Sequence, residues 1–325
     1  MRGLIRVTLM IVVLLLTAIL AAGQASSGAG KTWTVPRTPD GHPDLQGLWN
    51  NTTLTPLERP RNFSQEFFAT DEEAAAYAKG IVDRRAQDPN DGANDVADPN
   101  VWWERATTVV ATGRTSLIID PTDGRVPAMT PEAQKRMAET RAATSQHPAD
   151  RAADRSLQER CLLSPTAGPP MLPGPYNNNY QIVQTPDYVM ITIEMIHDVR
   201  IIPLDGRPHL PAAIRKWFGD SVGHWESNTL VVDTTNFTDQ THFRGSDRYL
   251  HLIERFTRTG PETILYQFTV DDPTAFAKPW TAELPMVRSA GPMYEFACHE
   301  GNFALGRMLS IARQAEKVAA QKGSK

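Results

Sequence analysis

Alternation of hydrophobic and polar residues dominates the second half of the chain. In residues 188–195 every second side chain is apolar, which is the period of a strand with one buried face. Further runs with strand character follow at 199–202, 230–235, 250–257, 264–270, 281–286 and 294–298. The connections are short and turn-like, and no helical crossover of a dozen residues intervenes, so antiparallel pairing is favoured over a parallel sheet. The pattern predicts a mainly β unit over residues 161–325, with six or seven antiparallel strands in a barrel or a sandwich.

Three other segments have the features of helices. Thr70 supplies a capping hydroxyl for a segment that continues to about residue 85 through acidic residues and alanines. A Thr-Pro pair at Thr130 starts a second helix, which we expect to end near residue 144. Residues 303–321 carry apolar side chains at helical spacing, which predicts a C-terminal helix.

The remainder of residues 26–160 is rich in Gly, Pro and polar residues, so we expect this N-terminal region to be irregular and partly helical. Two short stretches stand out from it. Residues 116–120 have the composition of a buried strand, and a strand-like stretch ends at Trp49, which we expect to anchor the region to the core.

The first residues have the order of a secretory signal peptide. Two arginines precede an apolar run over residues 7–22, and small side chains follow at Gly23 and Ala25. We therefore expect residues 1–25 to be a signal peptide, with an uncleaved N-terminal anchor as the alternative. The mature chain is predicted to be exported, periplasmic or extracellular, and without a membrane span after cleavage, because no later apolar stretch could cross a bilayer.

Composition and charge limit the classes of partner that the chain can bind. The chain has 325 residues with 41% hydrophobic side chains, which is enough for a globular core. Its 33 Lys and Arg against 37 Asp and Glu give a net charge of −4, so it offers no basic field for a nucleic acid. Nothing in the pattern indicates an oligomeric state.

The chain has two cysteines, Cys161 and Cys298. In an oxidising compartment an even pair is usually bridged, so we predict a disulfide between them. The alternative is a nucleophilic Cys298 activated by His299, but neighbouring strand residues point to opposite faces and do not pair easily.

Recognised cofactor and metal motifs are absent from the sequence. There is no nucleophile elbow, no phosphate-binding loop and no dinucleotide fingerprint, so no cofactor is predicted. Six of the eight histidines fall between residues 197 and 299, but their spacing matches no metal signature. No metal is predicted, and a metal site assembled across strands stays an alternative.

The candidate catalytic group is Glu194, His197 and Arg200, which follow an otherwise apolar strand. If the chain bends there, Glu194 could orient His197 as a general acid or base, and Arg200 could stabilise negative charge. The alternative is a hydrogen-bonded corner in which Asp198 caps a turn and Arg200 pairs with Glu194.

Two further groups are candidates for ligand binding. Tyr176, Asn178 and Tyr180 lie in a loop pinned by a preceding Pro- and Gly-rich run. They could present amide and phenol groups to a ligand, and they could equally satisfy the backbone of a turn.

His251 and Arg255 share one face of a predicted strand. If that face lines a barrel interior, these side chains suit an anionic or carbonyl ligand, whereas the alternative is a solvated outer face. Trp280 is a candidate ligand contact, with a role as a core residue or barrel plug as its alternative.

Four motifs resemble those of a family of exported bacterial proteins of unknown function, and the resemblance covers most of the mature chain. They are PYNNNY (175–180), EMIHDVR (194–200), LDGRPH (204–209) and FACHEGN (296–302). The family implies no activity, substrate or cofactor. The predicted barrel is similar, at the level of the fold only, to lipocalin-like binders of small ligands.

These observations lead to three functional hypotheses. The first is an exported soluble protein with a small-molecule pocket that acts as an acid/base enzyme, a hydrolase, lyase or isomerase, on a small organic substrate. The second is a non-catalytic binding protein for an apolar or aromatic ligand, and the third is a structural envelope protein. The sequence does not separate these hypotheses, because it gives no geometry for the candidate groups.

Overall fold

The computed structural model describes residues 33–88 and 105–323, so the predicted signal peptide lies outside the described residues. Within these ranges the helices are α1 (Asp71–Gln87), α2 (Pro131–Gln146) and α3 (Phe303–Gly323). The strands are β1 (Gly47–Asn50), β2 (Ile118–Asp120), β3 (Asn179–Gln184), β4 (Tyr188–Ile193), β5 (Val199–Pro203), β6 (Asp220–Glu226), β7 (Thr229–Thr235), β8 (His251–Gly260), β9 (Thr263–Asp271) and β10 (Trp280–Arg288).

The first two helices begin where capping chemistry predicts. The hydroxyl of Thr70 accepts a hydrogen bond from the Glu73 amide at 3.2 Å, and that of Thr130 accepts one from the Ala133 amide at 3.1 Å. Each hydroxyl satisfies one of the four amides that a helix leaves unpaired at its start. Few side chains of α1 and α2 are buried, so both helices lie on the surface.

All strands belong to one antiparallel sheet, which confirms the predicted mainly β fold. Nine of them follow the order β5-β4-β3-β1-β10-β9-β8-β7-β6, and β2 pairs with β10 beside this path. The sheet curls into a nearly closed barrel, with β5 beside β6 but no hydrogen-bonded ladder between them. Because β1 and β2 come from the N-terminal region, that region and the C-terminal half share one sheet.

The strand prediction needs three corrections. Strands β3 and β6 were not predicted, and residues 294–298 form no strand. The backbone of this last segment bonds elsewhere: the Tyr294 amide donates to the Glu194 carboxylate, and the Phe296 carbonyl faces the His197 ring. An extended segment whose groups are paired with side chains has no need of a strand partner.

The open junction between β5 and β6, which we call the seam, follows from the β5 sequence. The Ile193 amide donates to the Asp198 carbonyl and the Leu204 amide to the Asp187 carbonyl, so by alternation the odd-numbered residues of β5 direct their backbone groups toward β6. Of these, Pro203 has no N–H, and the Val199 N–H donates to the Asp198 carboxylate at 2.6 Å. Two donors are thereby lost, which prevents a regular ladder at this edge.

Large side chains fill the barrel interior. The alternate residues of each strand point inward, and the largest that are fully buried are Trp49, Tyr180, Phe256, Tyr266, Phe268 and Trp280. Each buried apolar side chain of this size contributes roughly 1.5–3 kcal/mol to folding. The centre of the barrel is therefore a packed core, and a ligand site has to be sought at the wall or the ends.

The predicted disulfide is confirmed. Cys161 and Cys298 are bonded, with their Cα atoms 5.8 Å apart, and they are separated by 137 positions in sequence. The bridge fixes the segment after β10 to the segment before β3. Among the described helices, none combines the length and the apolar character that a crossing of the bilayer requires.

Candidate functional site

A cavity of about 310 Å³ opens at the seam, and we call it the seam cavity. One side is formed by β5 and the residue before it, and the other by the end of the loop between β5 and β6 and by the start of β6. Its lining residues are Asp198, Val199, Arg200, Ile201, Lys216, Trp217, Phe218, Gly219 and Ser221. The cavity exists because the two strands lack a ladder at this point of the wall.

Arg200 is the buried charge of the seam cavity. It pairs with Ile191 in the β4–β5 register, so its side chain points into the barrel and is only 3% exposed. Its Nη1 atom donates to Oε1 of Glu254 on β8 at 3.0 Å, and Nη2 makes a second bond to the same carboxylate. Nη2 also donates to the Ser221 hydroxyl at 3.3 Å. The result is a bidentate ion pair across the barrel, with a hydroxyl at the cavity side.

The ion pair continues into the core through Tyr266. The Tyr266 hydroxyl donates to Glu254 Oε1 at 2.8 Å and accepts the Met171 amide at 3.0 Å. Burial raises the pKa of Tyr266 well above its ordinary value, and the neighbouring Glu254 carboxylate adds to this shift. For Arg200, burial lowers the pKa but the attraction of Glu254 outweighs it, so the net direction is upward. Tyr266 therefore stays neutral and Arg200 stays charged.

The rim of the seam cavity carries a second ion pair. Lys216 Nζ lies 2.8 Å from Oδ1 of Asp220, and the lysine side chain is half exposed. The Asp198 carboxylate lies on the opposite side, and the half-buried Trp217 provides an aromatic surface. The cavity thus combines apolar walls with a few fixed polar groups, which is typical of sites for small molecules.

The side chains of the candidate catalytic residues bond elsewhere, and the contact between two of them is a backbone one, from the His197 amide to the Glu194 carbonyl at 3.3 Å. Glu194 is 1% exposed, and its carboxylate accepts bonds from the Asn179 amide at 3.2 Å, the Asn179 side chain at 2.9 Å and the Tyr294 amide at 2.7 Å. His197 is exposed, and Arg200 bonds to Glu254. The alternative of an Arg200–Glu194 pair is therefore wrong, because the β4–β5 register turns Arg200 toward β8.

His197 sits at a strained corner between β4 and β5. Its φ is 52° and that of Ile196 is 71°, in a region that β-branched residues rarely adopt. Nδ1 of His197 lies 2.8 Å from the Phe296 carbonyl oxygen, which can only accept, so Nδ1 carries the proton. The catalytic role of this residue stays a prediction.

Of the residues proposed for ligand binding, Tyr176 and Asn178 lie in the loop before β3, and Tyr180 lies in β3 itself, where it is buried opposite Ile193 at the same end of the barrel as His197. The Asn178 side chain bonds to the Gly174 amide at 2.6 Å and to the Gly174 carbonyl at 3.2 Å. The Tyr180 hydroxyl donates to the Thr166 carbonyl at 3.4 Å, and the Tyr176 ring lies 6.5 Å from that of Phe296. Three of the four motifs thus meet here. One of them, EMIHDVR, also supplies Asp198, Val199 and Arg200 to the seam cavity, whereas no residue of PYNNNY lines it.

His251 and Arg255 lie on the outer face of β8, and Trp280 is fully buried in the core. His251 Nε2 faces Asp233 at 2.9 Å, and the Arg255 guanidinium pairs with Glu226 at 2.9 Å. The hydrogen bond to Asp233 raises the pKa of His251. The expectation of a barrel interior lined by His251 and Arg255 is therefore wrong, since the register directs Leu252 and its alternates inward; a ligand role for these residues stays a prediction.

Within the described ranges, no group of three or more His, Cys, Asp or Glu side chains is arranged to hold a metal ion.

Sequence reasoning missed Glu254, Tyr266, Trp217 and Ser221 as parts of a site. One signal was present for Glu254, because it is an acid between Leu252 and Phe256 on an otherwise apolar strand face.

Comparison of the chain with known protein families, curated proteins and solved structures found no match.

Proposed function

We propose that this protein is an exported binding protein that holds a small organic molecule in the seam cavity. The observation that carries the proposal is the buried Arg200 guanidinium beside a cavity in the barrel wall. A charge is costly to remove from water. The volume of about 310 Å³ lies at the lower end of the range for small-ligand pockets.

Export is supported by two features. The first residues have the order of a signal peptide, and the Cys161–Cys298 disulfide is of a kind that persists in oxidising compartments. The packed interior supports a ligand at the wall rather than in the centre of the barrel.

Ligand-observed NMR with a mixture of small aromatic amides, ketones and acids tests the proposal. We expect saturation transfer to at least one compound, and the variant Ile201→Trp should weaken its binding by about tenfold or more, equivalent to about 1.4 kcal/mol. Ile201 lines the cavity and is 59% exposed, so a larger ring there covers the opening without disturbing the core.

Val287→Trp is the matched control, because Val287 is 50% exposed on β10 and does not line the cavity. Binding equally strong in both variants would place the ligand elsewhere. The absence of any bound compound would favour the structural hypothesis.

The acid/base enzyme is a second candidate, favoured by the geometry of His197. With Nδ1 protonated toward the Phe296 carbonyl, Nε2 of the neutral ring carries the lone pair of a general base, and the strained corner fixes its position. The same NMR spectra distinguish this candidate: conversion of a compound over time, abolished by His197→Gln, would support it. Compounds that bind and stay unchanged support the binding protein.

A further inference from the structure

We infer that the C-terminal helix α3 carries a docking surface for an anionic lipid bilayer. The surface is the solvent-facing side of this helix, and it shares no residue with the lining of the seam cavity. The inference therefore does not rest on the proposed function. It follows from the exposure, the spacing and the charge of side chains on one helix.

The body of the protein holds α3 along its first half. The Asn302 side chain, just before the helix, donates to the Glu159 carbonyl at 2.9 Å, and Arg313 donates to the Ala149 carbonyl at 3.2 Å. Residues 314–322 are all exposed. The second half of the helix, about 13 Å long, therefore extends into solvent.

The exposed side of α3 carries a row of apolar and basic side chains within an arc of about 140° around the helix axis. We call this row the outer stripe: Phe303, Arg307, Ile311, Lys317, Val318 and Lys322. Its apolar members, Phe303, Ile311 and Val318, are 72%, 69% and 43% exposed. Large apolar side chains aligned in this way on a surface indicate a contact site.

The outer stripe is also positively charged. Residues 303–323 contain four basic residues and one acidic residue, and the acid, Glu316, is already paired within the helix. In the described part of the chain, no carboxylate forms an ion pair with the exposed Arg307, Lys317 or Lys322. The helix therefore presents positive charge, although the whole chain has a net charge of −4.

These features fit the surface of a bilayer better than that of a protein. The apolar members form a single row about 22 Å long, whereas a protein interface depends on a compact, fully buried centre. A bilayer accepts such a row, because the apolar side chains enter the acyl boundary while the long stems of Arg and Lys reach the phosphate groups. A second copy of α3 would instead bring like charges together.

Hydrogen exchange measured by mass spectrometry tests the inference on the full chain, because it reports on α3 separately from the N-terminal residues. The protein is compared alone, with phosphatidylcholine vesicles, and with vesicles of equal parts phosphatidylcholine and phosphatidylglycerol. We expect the mixed vesicles to slow exchange in residues 314–322. Vesicle titration should give an affinity for the mixed vesicles about tenfold or more above that for phosphatidylcholine, since each cation near an anionic surface adds to binding.

The double variant Phe303→Ser, Ile311→Ser tests the apolar part of the outer stripe. Serine has a helix propensity similar to those of Phe and Ile, and both positions are exposed, so the helix should stay formed. We expect the affinity for the mixed vesicles to fall by about tenfold or more. The matched control is Tyr249→Ser, Val287→Ser, which changes two side chains that are 55% and 50% exposed outside α3 and should bind as the wild type does.

The triple variant Arg307→Gln, Lys317→Gln, Lys322→Gln tests the charge. It should bind both kinds of vesicle equally, because glutamine keeps the helix propensity but is neutral. A control with the same change in net charge replaces three exposed cations outside α3 and should keep the preference for the mixed vesicles: Arg61→Gln, Lys79→Gln, Lys135→Gln.

Each other outcome overturns the inference. Equal protection by both kinds of vesicle would show that charge has no role, and protection by neither would show that α3 does not bind a bilayer. Protection of α3 that rises with protein concentration, without vesicles, would identify a second copy as the occupant. Equal protection by polyglutamate would show that the outer stripe binds acidic chains in general.

Discussion

Arg200 and Glu254 form an ion pair that is almost completely removed from water. Such a pair gains Coulomb energy but loses the hydration of two charges, so its net contribution to stability is small. Removal of one partner destabilises the folded protein strongly, because the other charge is then left buried and uncompensated. The stability of this barrel therefore depends on keeping both charges or neither.

Arg200→Met should lower the free energy of unfolding by about 3–5 kcal/mol, the usual cost of breaking a buried pair. The double variant Arg200→Met, Glu254→Gln should recover at least half of this loss. No charge then remains buried, and the amide oxygen of the new side chain can still accept the hydrogen bond from Tyr266. Urea unfolding of the wild type and both variants measures the difference. A double variant no more stable than the single one would contradict the explanation by an uncompensated buried charge.

The residue scale also shows the limit of sequence reasoning. A charged residue between apolar neighbours, as at Arg200 and Glu254, indicates a buried charge that needs a partner. The neighbouring sequence does not identify that partner, because Arg200 and Glu254 are 54 positions apart and meet only through the curvature of the barrel. The sequence therefore predicted Arg200 as functional but assigned it to its neighbours Glu194 and His197.

At the scale of elements, β7 and β8 carry a cluster of ionisable groups on their outer face. The Asp233 carboxylate faces Nε2 of His251 at 2.9 Å and Nε2 of His209 at 3.0 Å. Asp271 lies 4.0 Å from the other side of the His251 ring, and the second nitrogen of His209 faces Asp220 at 3.3 Å. The cluster joins β6, β7, β8 and β9 to the loop that carries His209.

This cluster should make stability depend on pH. Asp233 raises the pKa of His251 above its ordinary value of 6.5 in the folded protein. A group with a raised folded-state pKa stabilises the fold fully below the unfolded value, and this contribution is lost as the pH rises through the folded-state pKa. His251→Gln should therefore lower the melting temperature more at about pH 5.5 than at about pH 8.5.

Differential scanning calorimetry of the two proteins at both pH values measures this effect. His242→Gln is the control, since His242 is exposed and lies outside the cluster. An equal loss at both pH values for His251→Gln would show that only packing, and not the charge, is involved.

Helices and strands were predictable where the residues that define them are close together in sequence. The caps at Thr70 and Thr130 and the alternation in β4, β8 and β9 needed no tertiary information. Strand β6 was missed because it contains Gly223 and has few apolar residues. A glycine is needed at this position because a Cβ atom there would lie 2.8 Å from the Ile202 side chain on β5. Residues 294–298 were predicted as a strand because extended backbone and strand look alike in sequence.

At the scale of the whole molecule, the Cys161–Cys298 bridge encloses β3 to β10. In the chain-entropy model a loop of this length stabilises the folded state by roughly 4–5 kcal/mol. The double variant Cys161→Ser, Cys298→Ser should lose about that much stability in urea unfolding. Alkylation of the wild type without reductant, followed by mass spectrometry, should label neither cysteine. A loss of less than about 1 kcal/mol in the free energy of unfolding of the double variant would contradict the chain-entropy model.

The position of β1 between β3 and β10 governs the order in which the molecule is completed. Its residues pair with Asn179–Ile182 on one side and with Val287 and Arg288 on the other. In chain order β1 comes first and β10 last of the described strands, so β1 lacks one of its two partners until the last strand joins the sheet. Until then the edges of the neighbouring strands stay open to pairing with other chains.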